Sequence, residues 1–438
     1  MEQETKHRKL NIPEFQEGET TWWVQGKDTK SKSARRKAAR MRLYWTIFLS
    51  VTAVIFGGTV FAAIGYWIYY SFGPNEIDMF TPKAEIVHTF TTPHENGITD
   101  LVYSPDGLFL VTASDDTTAA VIDAQTGETL RRMEGHQQGV TSVAVISLMQ
   151  KFSTDTNVDK EEALSALRIL TGSKDIRTTL WNPEMNPPIQ QKLGASDDVF
   201  GVQEENIFEI PPGHTKAIMA VALSADGRYA LTGSLDHRYL LWDTLSHALV
   251  KADSSEEEGL GGDLYLPHNG PVLAVAFNPN GNSYASASED CTVKLWDGNN
   301  DQLMQTFTGH NSAVTHLQFG SSGTTLLSAG KDRRVILWNL INGARAQIFP
   351  TENEVIGAAL SPNERYVVSS MFENSAVLWD VKSAKKLAQF NTPARIVALA
   401  VSPVSTEDGI PLYVALATVD NQIIVFSTEN VLKDIRGK

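Results

Sequence analysis

The chain has 438 residues, of which 42% are hydrophobic and 20% are charged, a globular composition that excludes disorder throughout. Residues 1–42 carry 11 Lys and Arg against 6 Asp and Glu, so the net charge of −14 leaves −19 on the remainder. Such an acidic body repels phosphates, and we therefore expect no nucleic-acid partner. The single cysteine, Cys291, excludes an internal disulfide.

A long apolar run follows the basic start of the chain. Residues 43–70 carry no charged side chain and are numerous enough to cross a hydrocarbon core of roughly 30 Å, which predicts a single transmembrane helix acting as an uncleaved signal anchor. We interpret residues 1–42 as a disordered basic tail and residues 71–84 as a linker. Eight Lys and Arg lie between positions 27 and 42, and few follow the helix. The positive-inside rule then predicts a cytoplasmic N-terminus with the rest of the chain outside the cytoplasm.

Three smaller features refine this membrane interpretation. The sequence contains no Asn-x-Ser/Thr sequon, which favours the periplasmic side of a bacterial inner membrane over a secretory lumen. Small residues four apart recur between positions 53 and 62, a spacing that allows a homo-oligomer through the helix but also arises by chance. Trp22 and Trp23 in the tail indicate either a short partner-binding motif or an interfacial anchor.

The remainder of the chain is built from repeats. Four segments of twenty residues align without a gap: SADGRYALTGSLDHRYLLWD (224–243), NPNGNSYASASEDCTVKLWD (278–297), GSSGTTLLSAGKDRRVILWN (320–339) and SPNERYVVSSMFENSAVLWD (361–380). Residues 104–123 fit the same frame, residues 171–182 fit its second half, and residues 415–426 form a degenerate seventh unit. Alternating strands separated by Ser-Pro-Asp-Gly-type turns in seven units predict an all-β, seven-bladed propeller with four strands per blade.

A histidine stands at a constant distance before the turn aspartate of several units. The pairs 22 residues apart are His94/Asp116, His214/Asp236, His268/Asp290 and His310/Asp332, and His136/Asp175 is the same pair with 17 residues inserted. A hydroxyl residue lies four positions before each aspartate, and most units end in Trp-Asp or Trp-Asn. With these motifs, residues 85–427 resemble the WD-repeat, or β-transducin-like, family of propellers.

The resemblance implies that a His, a Ser or Thr, an Asp and a Trp of one blade form a structural hydrogen-bonded tetrad. The candidate tetrads are His136, Thr171, Asp175 and Trp181; His214, Thr232, Asp236 and Trp242; His268, Ser286, Asp290 and Trp296; and His310, Ser328, Asp332 and Trp338. Blade 1 has Ile122 in place of the Trp, and we assign Asn374 to the aspartate position of blade 6. Residues 85–90 should close the ring as the outer strand of the last blade, which leaves residues 428–438 as a C-terminal tail.

The sequence offers no reaction chemistry. It contains no Walker loop, Gly-x-Gly-x-x-Gly turn, His-Glu-x-x-His helix or Cys-x-x-Cys pair, so we predict no enzyme, no cofactor and no metal site. The Ser, His and Asp of the tetrads also compose a hydrolase triad, but a nucleophile repeated in five blades has no chemical use. The acidic residues 253–258 lack the spacing of a calcium loop, which favours a solvated loop.

Three classes of function remain open at this point. The first is a membrane-tethered scaffold or accessory subunit that binds partner proteins, in particular at another membrane protein complex, because rigid rings with variable loops suit recognition. The second is a small-molecule sensor or a regulatory subunit of a transporter, with its ligand in the central channel. The third is a propeller enzyme.

The long insertions predict where partners would bind. We assign residues 148–166, 183–211, 244–266 and 403–411 to first-to-second and third-to-fourth strand loops, which share one face of a propeller. The closing strand should begin on that same face. Within the second insertion, Phe200, Ile207 and Phe208 among acidic residues are the candidate partner-binding side chains.

Overall fold

The computed structural model describes residues 84–148, 159–184, 189–193, 213–252, 267–405, 413–429 and 431. These residues form 28 β-strands and one short helix, α1 (Lys160–Ser165). The strands are β1 (Glu85–Thr91), β2 (Ile98–Tyr103), β3 (Phe109–Ser114), β4 (Thr118–Asp123), β5 (Thr129–Glu134), β6 (Val140–Ser147), β7 (Leu167–Ser173), β8 (Thr178–Asn182), β9 (Ile189–Leu193), β10 (Ile218–Leu223), β11 (Tyr229–Ser234), β12 (Tyr239–Asp243), β13 (Leu249–Ala252), β14 (Val272–Phe277), β15 (Ser283–Ser288), β16 (Thr292–Asp297), β17 (Leu303–Thr308), β18 (Val314–Phe319), β19 (Thr325–Gly330), β20 (Arg334–Asn339), β21 (Ala344–Pro350), β22 (Val355–Leu360), β23 (Tyr366–Met371), β24 (Ser375–Asp380), β25 (Lys386–Asn391), β26 (Ile396–Val401), β27 (Tyr413–Thr418) and β28 (Gln422–Ser427).

The strands assemble into seven antiparallel sheets of four strands each, so the predicted seven-bladed, all-β propeller is confirmed. Blades 1 to 6 each take four consecutive strands, from β2–β5 in blade 1 to β22–β25 in blade 6. Blade 7 takes β26, β27 and β28, and its outer strand is β1. β1 runs antiparallel to β28, with Glu85 opposite Ser427 and Thr91 opposite Gln422, which confirms the predicted closing strand. β1 thus covers the edge of β28 and completes blade 7 with a fourth strand, as in the other blades.

Burial explains the sequence pattern of the strands. The two middle strands of a blade are covered on both faces, so β3 (FLVTAS) and β15 (SYASAS) are buried along their whole length. The outer strands face solvent, and in β17 only Phe307 is fully buried. The hydrophobic core is divided among the clefts between blades: Phe109 and Met133 of blade 1, for example, pack with Val143 and Trp181 of blade 2. Each blade therefore depends on its neighbours for a core.

The loops define two faces, which we name by their residues. The proline face contains the first-to-second and third-to-fourth strand connections, and its turns carry Pro105, Pro279, Pro362 and Pro403. The histidine face contains the second-to-third turns and the connections between blades, which carry His94, His136, His214, His268 and His310. β1 begins on the proline face, because Glu85 pairs with Ser427 at the end of β28.

Two of the four insertions lie on the opposite face from the one predicted. β8 ends at Asn182 and is followed by the outer strand β9, so only residues 183–188 form a third-to-fourth loop and residues 194–212 join β9 to β10. The short outer strand β13 likewise leaves residues 253–266 in the connection between blades 3 and 4. These two long segments therefore leave from the histidine face. The prediction that they share a face with the start of the closing strand is wrong, because β9 and β13 pair as outer strands before the insertions begin.

The other two insertions lie where the sequence predicted them. The segment between β6 and β7 and the segment between β26 and β27 are first-to-second connections on the proline face. The first of them contains α1, whose N-cap is Asp159 and whose Leu164 is buried in the cluster between blades 1 and 2. The described end of this insertion, residues 159–166, is thus part of the packed domain.

At the C-terminal end, Thr428 and Val431 are fully buried, and Val431 packs with Phe390 and Phe426. Packed residues therefore continue beyond residue 427, into the segment interpreted as a tail. No helix among the described residues is long and apolar enough to cross a membrane. The predicted tail, transmembrane helix and most of the linker, residues 1–83, lie outside the described residues.

Candidate functional site

The predicted tetrad of blade 3 joins the two middle strands of the blade to the connection that precedes its first strand. Nδ1 of His214 lies 2.9 Å from Oδ2 of Asp236, and Nε2 of His214 lies 2.8 Å from Oγ1 of Thr232. The indole N–H of Trp242 donates to the same Oγ1 over 3.0 Å. The threonine hydroxyl thus links the indole to the imidazole, and the imidazole in turn contacts the carboxylate.

Three other blades repeat this geometry. In blades 2, 4 and 5 the His Nδ1 to Asp distances are 3.0, 2.9 and 3.0 Å, and each His Nε2 to hydroxyl distance is 2.8 Å. The Trp Nε1 to hydroxyl distances are 2.8, 2.9 and 2.8 Å. The residues are those of the sequence-based sets: His136, Thr171, Asp175 and Trp181; His268, Ser286, Asp290 and Trp296; and His310, Ser328, Asp332 and Trp338.

The aspartates of blades 1 to 4 each hold two stretches of backbone as well. Oδ2 of Asp236 accepts the N–H of Thr215 in the connection between blades over 3.0 Å, and Oδ1 accepts the N–H of Arg238 in the turn over 3.0 Å. Burial alone would raise the pKa of Asp236, but the hydrogen bond and the charge of His214 and the two N–H groups lower it below its usual value. In blade 2 the same balance lowers the pKa of Asp175 to about 2. The carboxylates are therefore held ionised.

The blades that depart from the pattern do so differently. In blade 1, His94 lies 3.0 Å from Asp116 and 2.8 Å from Oγ1 of Thr112, while Ile122 stands where blades 2 to 6 have Trp. Thr118 adds a 2.6 Å hydrogen bond to Oδ1 of Asp116.

In blade 6, the indole of Trp379 donates to Oγ of Ser369 over 2.8 Å, with no histidine beside it among the described residues. Glu373 occupies the aspartate position there, because the pair Ser370 and Ala376 matches the register of Gly233 and Tyr239 in blade 3. Its side chain is exposed. The assignment of Asn374 to that position is wrong by one residue.

Burial of the hydroxyl groups decides between the two interpretations of the Ser, His and Asp sets. Ser286 and Ser328 are 0% exposed, and each hydroxyl already accepts from a tryptophan and contacts a histidine. A substrate carbonyl cannot reach either oxygen, so the arrangement does not work as a hydrolase triad. The candidate partner-binding residues Trp22, Trp23, Phe200, Ile207 and Phe208 lie outside the described residues.

The central channel contains polar residues that the sequence analysis did not single out. Asp100 on β2 accepts hydrogen bonds from the N–H groups of Leu101 and Val143, over 2.8 and 2.9 Å, and from Oγ of Ser142 over 3.0 Å. His316 on β18 lines the same channel. Both follow the bulge of a first strand, where the equivalent residues elsewhere are small: Ser142, Ala220, Ala274, Gly357 and Ala398. The repeat alignment did not include this strand, so neither residue stood out.

A comparison with known families agrees with this geometry. The family model described as WD domain, G-beta repeat matches residues 84–123, 205–243, 264–297 and 301–339. This chain carries WD40 repeats. The matched WD40 segments cover β1 to β4, all of blade 4, and blades 3 and 5 without their outer strands. The remaining blades are identified by their four-stranded sheets.

Several curated proteins are similar to the WD40 propeller of this chain. A guanine nucleotide-binding protein subunit beta of Oryza sativa subsp. japonica is 23% identical over 250 residues, covering 52% of this chain and 63% of the relative. A ribosome biogenesis protein WDR12 homolog of the same plant is 27% identical over 221 residues, covering 47% and 44%. A guanine nucleotide-binding protein subunit beta-like protein of Encephalitozoon cuniculi (strain GB-M1) is 31% identical over 98 residues, covering 22% and 27%. The chain thus spans less than two thirds of the length of these relatives.

Proposed function

We propose that this chain is a membrane-tethered WD-repeat scaffold, or an accessory subunit of a membrane protein complex, that binds partner proteins through one face of its propeller. The observation that carries the proposal is the internal use of the polar side chains. The His, Asp and hydroxyl groups of blades 1 to 5 are bonded to one another, as in the 2.9 Å contact of His214 with Asp236. A ring held in this way is a rigid scaffold, and the connections between its strands are free to differ in sequence and to bind partners.

The relatives support a binding role in general terms. Two of the similar proteins are named as a subunit, or as like a subunit, of a guanine nucleotide-binding protein, and a subunit acts within a complex. Similar folds host many functions, so the choice of partner has to come from this chain's own surface.

The histidine face is the proposed partner surface. Residues 194–212 and 253–266 both connect strands at that face, and the first segment contains Phe200, Ile207 and Phe208. By contrast, the insertion between β6 and β7 on the proline face includes α1, whose apolar side chains pack between blades 1 and 2. Apolar side chains in an acidic segment suit a partner that offers a hydrophobic groove with basic residues at its edge.

The membrane tether is the second part of the proposal. It is supported by the uncharged residues 43–70 and by the Lys and Arg that precede them. The linker 71–84 joins the propeller at β1, on the proline face. The proposed partner is the extramembrane domain of another membrane protein.

Co-purification from native membranes in mild detergent tests the partner surface. The full chain is compared with a triple variant, Phe200→Ala, Ile207→Ala and Phe208→Ala, and with a control in which residues 406–411 on the proline face become a Gly/Ser linker of equal length. We expect the triple variant to lose its partners and the control to retain them. Unchanged partners in a correctly folded triple variant would contradict the assignment to this segment, and loss in the control alone would move the surface to the proline face.

A further inference from the structure

The channel encloses a cavity of about 620 Å³, which is large enough for a small molecule. Its wall is made by the first strands of the blades, whose inner edges have no neighbouring strand to pair with. Most of the wall is apolar or small, but it also carries four titratable side chains: Asp100 and Tyr103 of blade 1, and His316 and Lys331 of blade 5. Lys331, which is exposed, lines the same cavity from a turn on the histidine face.

The polar groups of the wall differ in whether they have hydrogen-bonding capacity to spare. The hydroxyl of Thr99 donates to the carbonyl of Val140 over 2.6 Å, and that of Thr141 donates to the carbonyl of Ile218 over 2.6 Å. These hydroxyls join the inner strands of adjacent blades, and their donor hydrogens are not available to a ligand. Within the described part of the chain, Asp100 has hydrogen-bond donors but no cationic side chain beside it: its three partners are two backbone N–H groups and Ser142.

His316 is the second group with spare capacity. Its Nδ1 is buried and has no hydrogen-bond partner among the described residues. Its Nε2 faces the glycine of the next first strand, since a Cβ on Gly357 would come within 3.7 Å of that nitrogen. Burial lowers the pKa of His316, with the charge of Asp100 opposing the shift, so the ring is held neutral. Burial also raises the pKa of Asp100, against the hydrogen bonds from Val143, Leu101 and Ser142, and the neutral ring of His316 supplies no compensating charge.

A carboxylate in a low-dielectric wall without a counter-ion is costly, and a bound cation would relieve that cost. We propose that the channel beside Asp100 and His316 binds a small molecule that carries a protonated amine, with the ammonium group on Asp100 and the imidazole as a further hydrogen-bond acceptor. The small residues at the equivalent positions, Ala220, Ala274 and Gly357, leave room for the rest of the ligand. This site is separate from the proposed partner surface, and either proposal can fail without the other.

Isothermal titration of the purified full chain with n-butylammonium chloride tests the site, with 1-butanol and sodium butyrate as probes of equal chain length. We expect saturable binding of the amine and none of the alcohol or the carboxylate. Absence of saturable amine binding, or equal binding of 1-butanol, would overturn the proposal. These three probes separate recognition of the charge from filling of an apolar cavity.

Variants assign the binding to the two side chains. Asp100→Asn should weaken amine binding at least roughly tenfold. Asp100 also joins blade 1 to blade 2, so its substitution could lower stability as well as binding. The second variant is therefore His316→Ala, which breaks no described hydrogen bond. It should weaken amine binding several-fold and leave thermal stability unchanged. Lys331→Ala is the control: removal of a like charge from the wall should leave amine binding equal or tighter. Amine binding that survives in both channel variants would contradict the site.

Discussion

Oδ2 of Asp236 accepts hydrogen bonds from Nδ1 of His214, over 2.9 Å, and from the N–H of Thr215, over 3.0 Å. One carboxylate oxygen thus joins the connection between blades 2 and 3 to the second-to-third turn of blade 3. The polar side chains beside this junction are buried: His214 is 6% exposed and Thr232 is 0% exposed. The stability of the blade should therefore depend on the charge and shape of this one side chain.

Asp236→Ala is expected to lower the free energy of unfolding by about 2–4 kcal/mol, because it leaves the buried His214 and two N–H groups without their acceptor. Urea unfolding of the purified chain measures the loss. Glu373→Ala is the matched control, since Glu373 holds the same position in blade 6 but is exposed and should cost no more than about 0.5 kcal/mol. An unchanged midpoint in Asp236→Ala with lost partner binding would reassign this residue to function.

Acid should destabilise the propeller through the tetrad carboxylates. Asp175 has a pKa lowered to about 2 in the folded chain, against about 3.9 for an unfolded aspartate. Its stabilising contribution is complete above the unfolded pKa and is lost as the pH falls through about 2. Burial lowers the pKa of His268. The stabilising contribution of this neutral ring is therefore also lost as the pH falls below about 6.5.

Unfolding of Asp175→Asn and of the natural chain, measured between about pH 5 and pH 2, isolates the carboxylate. The variant should be less stable at pH 5 and should lose less stability on acidification, because the group that takes up the proton is gone. Parallel curves for the two chains would show that Asp175 does not contribute to the acid response.

The closing strand should matter as much as any core element. Phe90 of β1 is 8% exposed and packs with residues of blades 7 and 1, including Ile122 and Val425. Phe90→Ala is expected to cost about 3–5 kcal/mol, since it leaves a cavity where the ring closes. Ile86→Ala on the same strand is the control: Ile86 is 47% exposed, and its loss should cost no more than about 0.5 kcal/mol. Equal stabilities of the two variants in urea would mean that β1 adds little to closure.

The predicted orientation in the membrane is tested with epitope tags. A tag before Met1 should be reached by antibody only after permeabilisation of spheroplasts, and a tag after Lys438 should be reached in intact ones, because the basic residues 27–42 should remain in the cytoplasm. The opposite accessibility would reverse the topology. Accessibility of both tags in intact spheroplasts would argue against a membrane-spanning helix.

Local sequence patterns were sufficient for the ring and its closure. Each blade repeats the same turns and alternating strands, so residues 22 positions apart, such as His310 and Asp332, meet wherever the frame folds in the same way. Closure followed from the same frame, since the last unit supplies three strands and residues 85–90 directly precede the first unit. Asn374 was misplaced by one residue although the ungapped frame of residues 224–243 and 361–380 sets Glu373 opposite Asp236.

Only the tertiary structure decided the face of the long insertions and the polar site in the channel. β9 (IQQKL) and β13 (LVKA) are short outer strands that belong to their blades through backbone pairing with β8 and β12, and a hydrophobic pattern does not record that pairing. Asp100 and His316 lie in blades 1 and 5, and closure of the ring brings them to the same channel. Repeats within a blade determine local geometry, whereas contacts across the ring arise from distant segments and leave no local signal.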